Sequence, residues 1–99
     1  MKHSTSPAAT HFGERVRRAR IELGLSQENV AELAQMHVTN YGKIERGIAN
    51  PSLVTILRIA SVLGVDVAAL TGGLSRDDLP AGFEVLPAAE FLRERNRRR

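Results

Sequence analysis

From Thr10 onward, apolar side chains return every three or four positions. Phe12, Val16, Ala19 and Leu23 form one stripe, the pattern of a helix with one buried face. Thr10 is an N-cap by type, and Gly24 fits the left-handed stop. Arg15, Arg17, Arg18 and Glu22 fall on the opposite face. Ser26 is the next N-cap, and residues 27–34 make about two turns with Glu28 in the first. After a break at 35–37, a helix is expected over 38–46, stopped by Gly47. Asn50-Pro51 reads as a start, with Asn as cap and Pro as first helical residue. Leu53, Ile56, Leu57, Ala60 and Leu63 give that helix its apolar face, ended by Gly64. Asp66 caps a short fifth helix through about Leu70. The pattern therefore predicts an all-α protein. Residues 1–9 are expected as a flexible N-terminal arm, 10–73 as a compact five-helix bundle, and 74–99 as a short C-terminal extension. In the extension, Phe83–Leu86 is a short β-compatible run, and Pro87 opens a last helix holding Phe91 and Leu92 before an Arg-rich end.

Composition narrows the classes of function. The 99 residues are 42% hydrophobic and 25% charged, ordinary values for one small globular domain. The net charge of +3 is unevenly placed: residues 1–58 carry +3, 59–92 carry −4 and 93–99 carry +4. Such asymmetry suggests an anionic partner approached by the first half. With no cysteine, disulfides, thiolate zinc sites and Cys nucleophiles are excluded. No apolar run approaches the length of a membrane span, and the first residues lack the apolar core of a signal peptide. No membrane partner and a cytoplasmic, nucleoid-associated location are the expectations. His3, His11 and His37 are too scattered for a metal site, and no HExxH, Walker A or GxSxG motif occurs. No metal, no cofactor and no enzymatic activity are expected.

The informative stretch is 26–47: two short helices separated by a turn of three to four residues, the geometry of a helix-turn-helix. Here the chain resembles the phage-repressor (Cro/repressor, XRE-like) helix-turn-helix family. The residues that carry the resemblance are Gly24 through Ala34, then Ile44-Glu45-Arg46-Gly47, Asn50-Pro51-Ser52-Leu53 and Ala60 through Val65. It covers roughly residues 11–73. It implies a sequence-specific regulator of transcription, in which helix 38–46 lies in the DNA major groove and helix 27–34 crosses the backbone.

With Tyr41 and Ile44 directed inward beside Ala31 and Leu33, the side chains left outward are Val38, Thr39 and Lys43. His37, Asn40 and Gly42 lie at the margins. Lys43 suits guanine O6/N7 or a phosphate, Thr39 a base edge or a thymine methyl, Val38 a thymine methyl, and Asn40 a base edge or a phosphate. Gln27 sits in a helix first turn, where backbone N–H groups attract an anion, and the resemblance assigns its side chain to a DNA phosphate. Arg46 and Asn50, just past the recognition helix, are placed for further phosphates. The resemblance also pairs Arg20 with Glu45 as a structural ion pair that fixes two helices.

Four residues depart from the family pattern: Gln35 at a turn position usually Gly, His37 at a cap usually Ser or Thr, Gly42 at a mid-helix Ser position, and Tyr41 at an aliphatic core position. A homodimer on a pseudo-palindromic operator is expected. Its surface is expected from Val65, Val67 and Leu70 together with Phe83, Val85, Leu86, Phe91 and Leu92, with the tail pairing as strands or folding back. The alternatives are a bridging module that binds a protein through the same scaffold, and an antitoxin-type autoregulator.

Overall fold

A computed structural model of the chain describes residues 5–98. The described residues form six α-helices and one 3-10 turn, with no strand. Helix α1 spans Pro7–Glu22, α2 Gln27–Leu33, α3 Val38–Glu45, α4 Leu53–Leu63, α5 Val67–Thr71 and α6 Ala88–Arg97, with the 3-10 turn at Arg76–Asp78. None is long and apolar enough to cross a membrane.

Local chemistry places most of the helix ends. Helix α1 is capped by Ser6, four residues ahead of the expected cap Thr10, and begins at Pro7. The Ser6 Oγ accepts from the Ala9 amide at 3.0 Å, and Pro7 supplies a preset first turn. Residues 7–9 are thus helical, and residues 1–4 of the expected arm lie outside the described residues. Ser26 and Asn29 form a reciprocal capping box at α2, each accepting from the other's backbone amide at 3.0 Å. At α4 the expected Asn50-Pro51 start is wrong by two residues. Ser52 caps instead, its Oγ accepting from Thr55 at 3.1 Å. Asp66 occupies the cap of α5 without a side-chain bond. Gln35 adopts φ 59, a left-handed geometry that strains a side chain by about 1 kcal/mol.

Phe12, Val16, Val30, Ala34, Tyr41, Ile44, Ile59, Ala60, Leu63 and Leu70 build one core. Helix α1 packs across α3 and α5, and α2 packs on α3 and α4. Four expectations about the core fail. Leu23, Leu33, Leu53 and Leu57 are exposed, at 53%, 62%, 68% and 49%. Ala34 and Ile59 take the inward positions. A helix turns its side chains by a fixed angle per residue, so only the apolar positions that face a neighbouring helix are covered, and these four face away. Leu70 lies in the core, so it offers no surface to a partner, while Val65 and Val67 are half-buried against it. Beyond Gly73 the chain leaves the bundle. The run Phe83–Leu86 forms no strand, Pro87 precedes α6 as expected, and the tail's five large apolar side chains stay exposed instead of folding back.

Candidate nucleic-acid interface

The site is built on α3, and what positions α3 is its crossing with α1. Gly13 makes that crossing close: a Cβ there would stand 2.7 Å from the Glu45 carbonyl oxygen and closer still to that of Ile44. Gly47 completes the contact. Its φ of 75 suits glycine, and a Cβ there would meet Thr10 Cα at 2.9 Å. The Thr5 amide donates to the Gly47 carbonyl at 2.8 Å.

The expected pair of Arg20 and Glu45 is present. Arg20 Nε donates to Glu45 Oε2 at 2.7 Å and Nη2 to Oε1 at 3.0 Å, a bidentate clamp, while Nη1 donates to the Leu25 carbonyl at 2.9 Å. The Glu45 side chain is almost fully buried. Burial, the largest single influence, pushes its carboxyl pKa up. The bonds from Arg20 and Gln27, the neighbouring Tyr41 hydroxyl and the Arg20 charge together outweigh burial and hold it below its ordinary value. The Glu45 bond in turn holds Arg20 above its ordinary value. Tyr41 is fully buried beside this pair, and its hydroxyl lacks a well-formed hydrogen bond. Burial, and then the Glu45 carboxylate, push that hydroxyl above the usual tyrosine range.

Gln27 joins the same network. Its Nε2 donates to Glu45 Oε1 at 2.9 Å, so the residue singled out for a phosphate is tied in the free chain to the Arg20–Glu45 pair. Gly42, buried in mid-helix, leaves space that Arg46 uses. A Cβ at 42 would lie 3.1 Å from Arg46 Nη1 and 3.6 Å from Gln27 Oε1. The missing side chain therefore lets the Arg46 guanidinium lie along α3 toward Gln27.

The outward half of α3 is the converse. His37, Val38, Thr39, Asn40, Lys43, Arg46 and Asn50 are all exposed. Among the described residues, the side chains of Thr39, Asn40 and Lys43 make no hydrogen bond. His37 occupies the N-cap of α3 without a side-chain bond, leaving the first-turn amides of that helix open to solvent or ligand.

Three functional roles were missed from sequence. Arg15 donates to the carbonyls of Leu70 and Gly72 at 3.2 and 2.7 Å, closing the end of α5 instead of facing outward. Arg58 donates to the Ala34 and Gln35 carbonyls at 2.9 and 2.8 Å, closing the end of α2 beside the strained turn. Gly13 carries the α1–α3 approach. Only Gly13 had a legible signal, since a glycine inside a helical pattern marks a close backbone contact.

The profile of the helix-turn-helix family HTH_3 matches residues 16–70. The chain is 37% identical over 62 residues to the SPbeta prophage-derived uncharacterized HTH-type transcriptional regulator YonR of Bacillus subtilis, covering 63% of this chain and 57% of that protein. It thus spans about half the length of the curated relatives it matches. Among solved structures, the restriction-modification controller protein C.AhdI from Aeromonas hydrophila is 40% identical with a TM-score of 0.61, covering 63% of this chain and 94% of that one. The biofilm master regulator SinR of Bacillus subtilis, solved in complex with DNA, is 33% identical with a TM-score of 0.58, covering 60% of this chain and 95% of that one.

Proposed function

The chain belongs to the helix-turn-helix family, whose fold it shares with transcriptional regulators, and from that footing we propose that it binds double-stranded DNA as a homodimer and regulates transcription. The observation that carries the proposal is the exposed face of α3. Val38, Thr39 and Lys43 project from a helix whose other face is locked by Arg20, Gln27 and Glu45. A helix presented at a fixed angle fits the major groove, where each base pair offers a distinct pattern of donors and acceptors.

Lys43 donates to guanine O6/N7, Thr39 meets a base edge or a thymine methyl, Val38 packs on a thymine methyl, and Asn40 meets a base edge or the adjacent backbone. Gln27, His37, Arg46 and Asn50 flank this face and meet phosphates. The Gln27 amide has a second N–H to offer while its first holds Glu45. One module reads few base pairs, so two copies place their α3 helices about 34 Å apart on a pseudo-palindrome.

Selection from a random duplex pool is expected to return such a palindrome, with binding that weakens steeply as salt rises. The Thr39→Ala/Lys43→Ala double variant is expected to lose roughly 10- to 100-fold in operator affinity while keeping its circular dichroism and melting curve. Arg46→Ala is expected to weaken all duplexes alike and reduce the salt slope by about 1. Indifference of the folded protein to every duplex, combined with capture of a protein through the same scaffold, would replace DNA reading with the bridging function.

A further inference from the structure

Among the described residues, one buried side-chain polar atom has no hydrogen-bond partner, the Tyr41 hydroxyl oxygen. Tyr41 is fully buried, and a buried hydroxyl left unpaired costs stability. An aliphatic side chain would fill the same core position without that cost. The hydroxyl is what tyrosine adds there, and the free chain leaves it unused.

We propose that Tyr41 is a positioning residue for phosphate binding: when a DNA phosphate draws Gln27 off the Glu45 carboxylate, the Tyr41 hydroxyl takes its place there. This rests on the reading of the chain as a duplex binder, and it lets Gln27 serve the free and the bound state in turn.

The occupancy of Glu45 comes first. Its Oε1 accepts from Arg20 Nη2 at 3.0 Å and from Gln27 Nε2 at 2.9 Å, and its Oε2 accepts from Arg20 Nε at 2.7 Å. Both N–H groups of the Gln27 amide sit on one nitrogen, so a phosphate that pulls this nitrogen outward lengthens its bond to Glu45. The Glu45 side chain is 2% exposed and cannot turn to water for a replacement donor. Tyr41 and Glu45 are four residues apart on α3, so their side chains share one face. The Tyr41 hydroxyl is already a neighbour of that carboxylate and of Arg20. Arg20 offers only donors, which makes Glu45 the acceptor for the Tyr41 O–H.

Protonation and space complete the arrangement. Burial first, and then the Glu45 carboxylate, hold the Tyr41 hydroxyl above the usual tyrosine range, so it keeps a proton to donate. Gln27 is half-buried at the first position of α2, with its amide between the buried carboxylate and the surface. Facing it on α3 is Gly42, where a Cβ would stand 3.6 Å from Gln27 Oε1. No side chain at 42 therefore obstructs the amide as it turns. The exchange conserves the number of donors on Glu45, so α3 keeps its clamp to α1 while Gln27 holds the phosphate.

The chain has one tyrosine and no tryptophan, so tyrosine absorption and emission report Tyr41 alone. A phenol that donates to a carboxylate absorbs at longer wavelength and emits less. In Gln27→Ala without DNA, the hydroxyl is expected to move onto Glu45, with emission falling and absorption shifting to longer wavelength relative to the parent. Spectra unchanged from the parent's would overturn the exchange, whatever the chain binds. The duplex returned by selection is expected to produce the same fall in emission in the parent. Tyr41→Phe is expected to keep or raise the melting temperature, since it removes an unpaired hydroxyl, yet to weaken every duplex alike by about fivefold. Parent-like affinity in Tyr41→Phe would overturn the exchange and leave DNA binding standing. A melting temperature that falls along with affinity would make Tyr41 a core residue only and overturn the exchange as well. A parent that ignores every duplex, with the Gln27→Ala shift present, would overturn the DNA reading and with it the phosphate trigger.

Discussion

Two helix crossings in this bundle were closed in opposite ways. At α1–α3, Gly13 lets the backbones meet, Gly47 seats Thr10, and a bidentate Arg20–Glu45 pair clamps the far end. At α2–α4 only the deep half is filled, by Val30, Ala34, Ile59 and Ala60. Its outer half leaves Leu33, Val54 and Leu57 facing a groove. The first crossing spends its contacts on orientation, because α3 must be held at one angle for its outward face to be useful. The second leaves apolar surface uncovered. One crossing thus fixes the angle of α3, and the other leaves part of its apolar surface open.

The sharpest way to break this contrast is Gly13→Ala. A single Cβ collides with two carbonyl oxygens of α3, which are backbone atoms and cannot step aside. A loss of about 3 kcal/mol or more is expected in chemical denaturation, together with loss of operator binding as α3 tilts. A variant as stable as the parent would show that the crossing is not closed by backbone contact.

Next in size is Glu45→Gln, which leaves Arg20 without its charge partner at a mostly buried position; about 3 kcal/mol is expected. The pH dependence follows from the depressed carboxyl pKa of Glu45. A carboxylate held below its unfolded value contributes its full stabilisation above the ordinary carboxylate range. That contribution disappears as pH falls through the lower folded value. The parent should therefore lose stability in acid more steeply than Glu45→Gln, as denaturant midpoints measured from neutral pH downward will show. Parallel curves would mean that Glu45 does not gain from its partners.

The smallest effect belongs to the open crossing. Arg58→Ala removes two charge-assisted bonds at the end of α2, one of them at the exposed Gln35 carbonyl, which rehydrates. A cost of about 1 kcal/mol is expected, with hydrogen exchange accelerating in residues 33–36 and not in α3. A loss as large as that of Glu45→Gln would erase the difference between the crossings.

Much of this was written along the chain. The 3.6-residue rhythm, Ser26 and the stops at Gly24, Gly47 and Gly64 set the helices in order, and those signals are local. The outward position of Val38, Thr39 and Lys43 was legible because Tyr41 and Ile44 define the inward face of an eight-residue helix. The Arg20–Glu45 pair was reached through family resemblance, since nothing local relates residues 25 positions apart.

Other features depended on packing. Leu33, Leu53 and Leu57 read as core by residue type, yet Ala34 and Ile59 face inward, because a helix turns by a fixed angle per residue and its neighbours decide which row is covered. The side chain of Gln27 turned to Glu45 because a buried carboxylate with an open lone pair lay within reach. Arg15 and Arg58 looked like surface charges until two helix ends with open carbonyls came within their span. Sequence alone determined which segments are helices and which face of α3 is offered outward, since propensity, capping and periodicity act over a few residues. Tertiary structure alone decided how closely α1 meets α3, which arginines are consumed, and which apolar faces stay open, since those depend on distances between residues far apart in the chain.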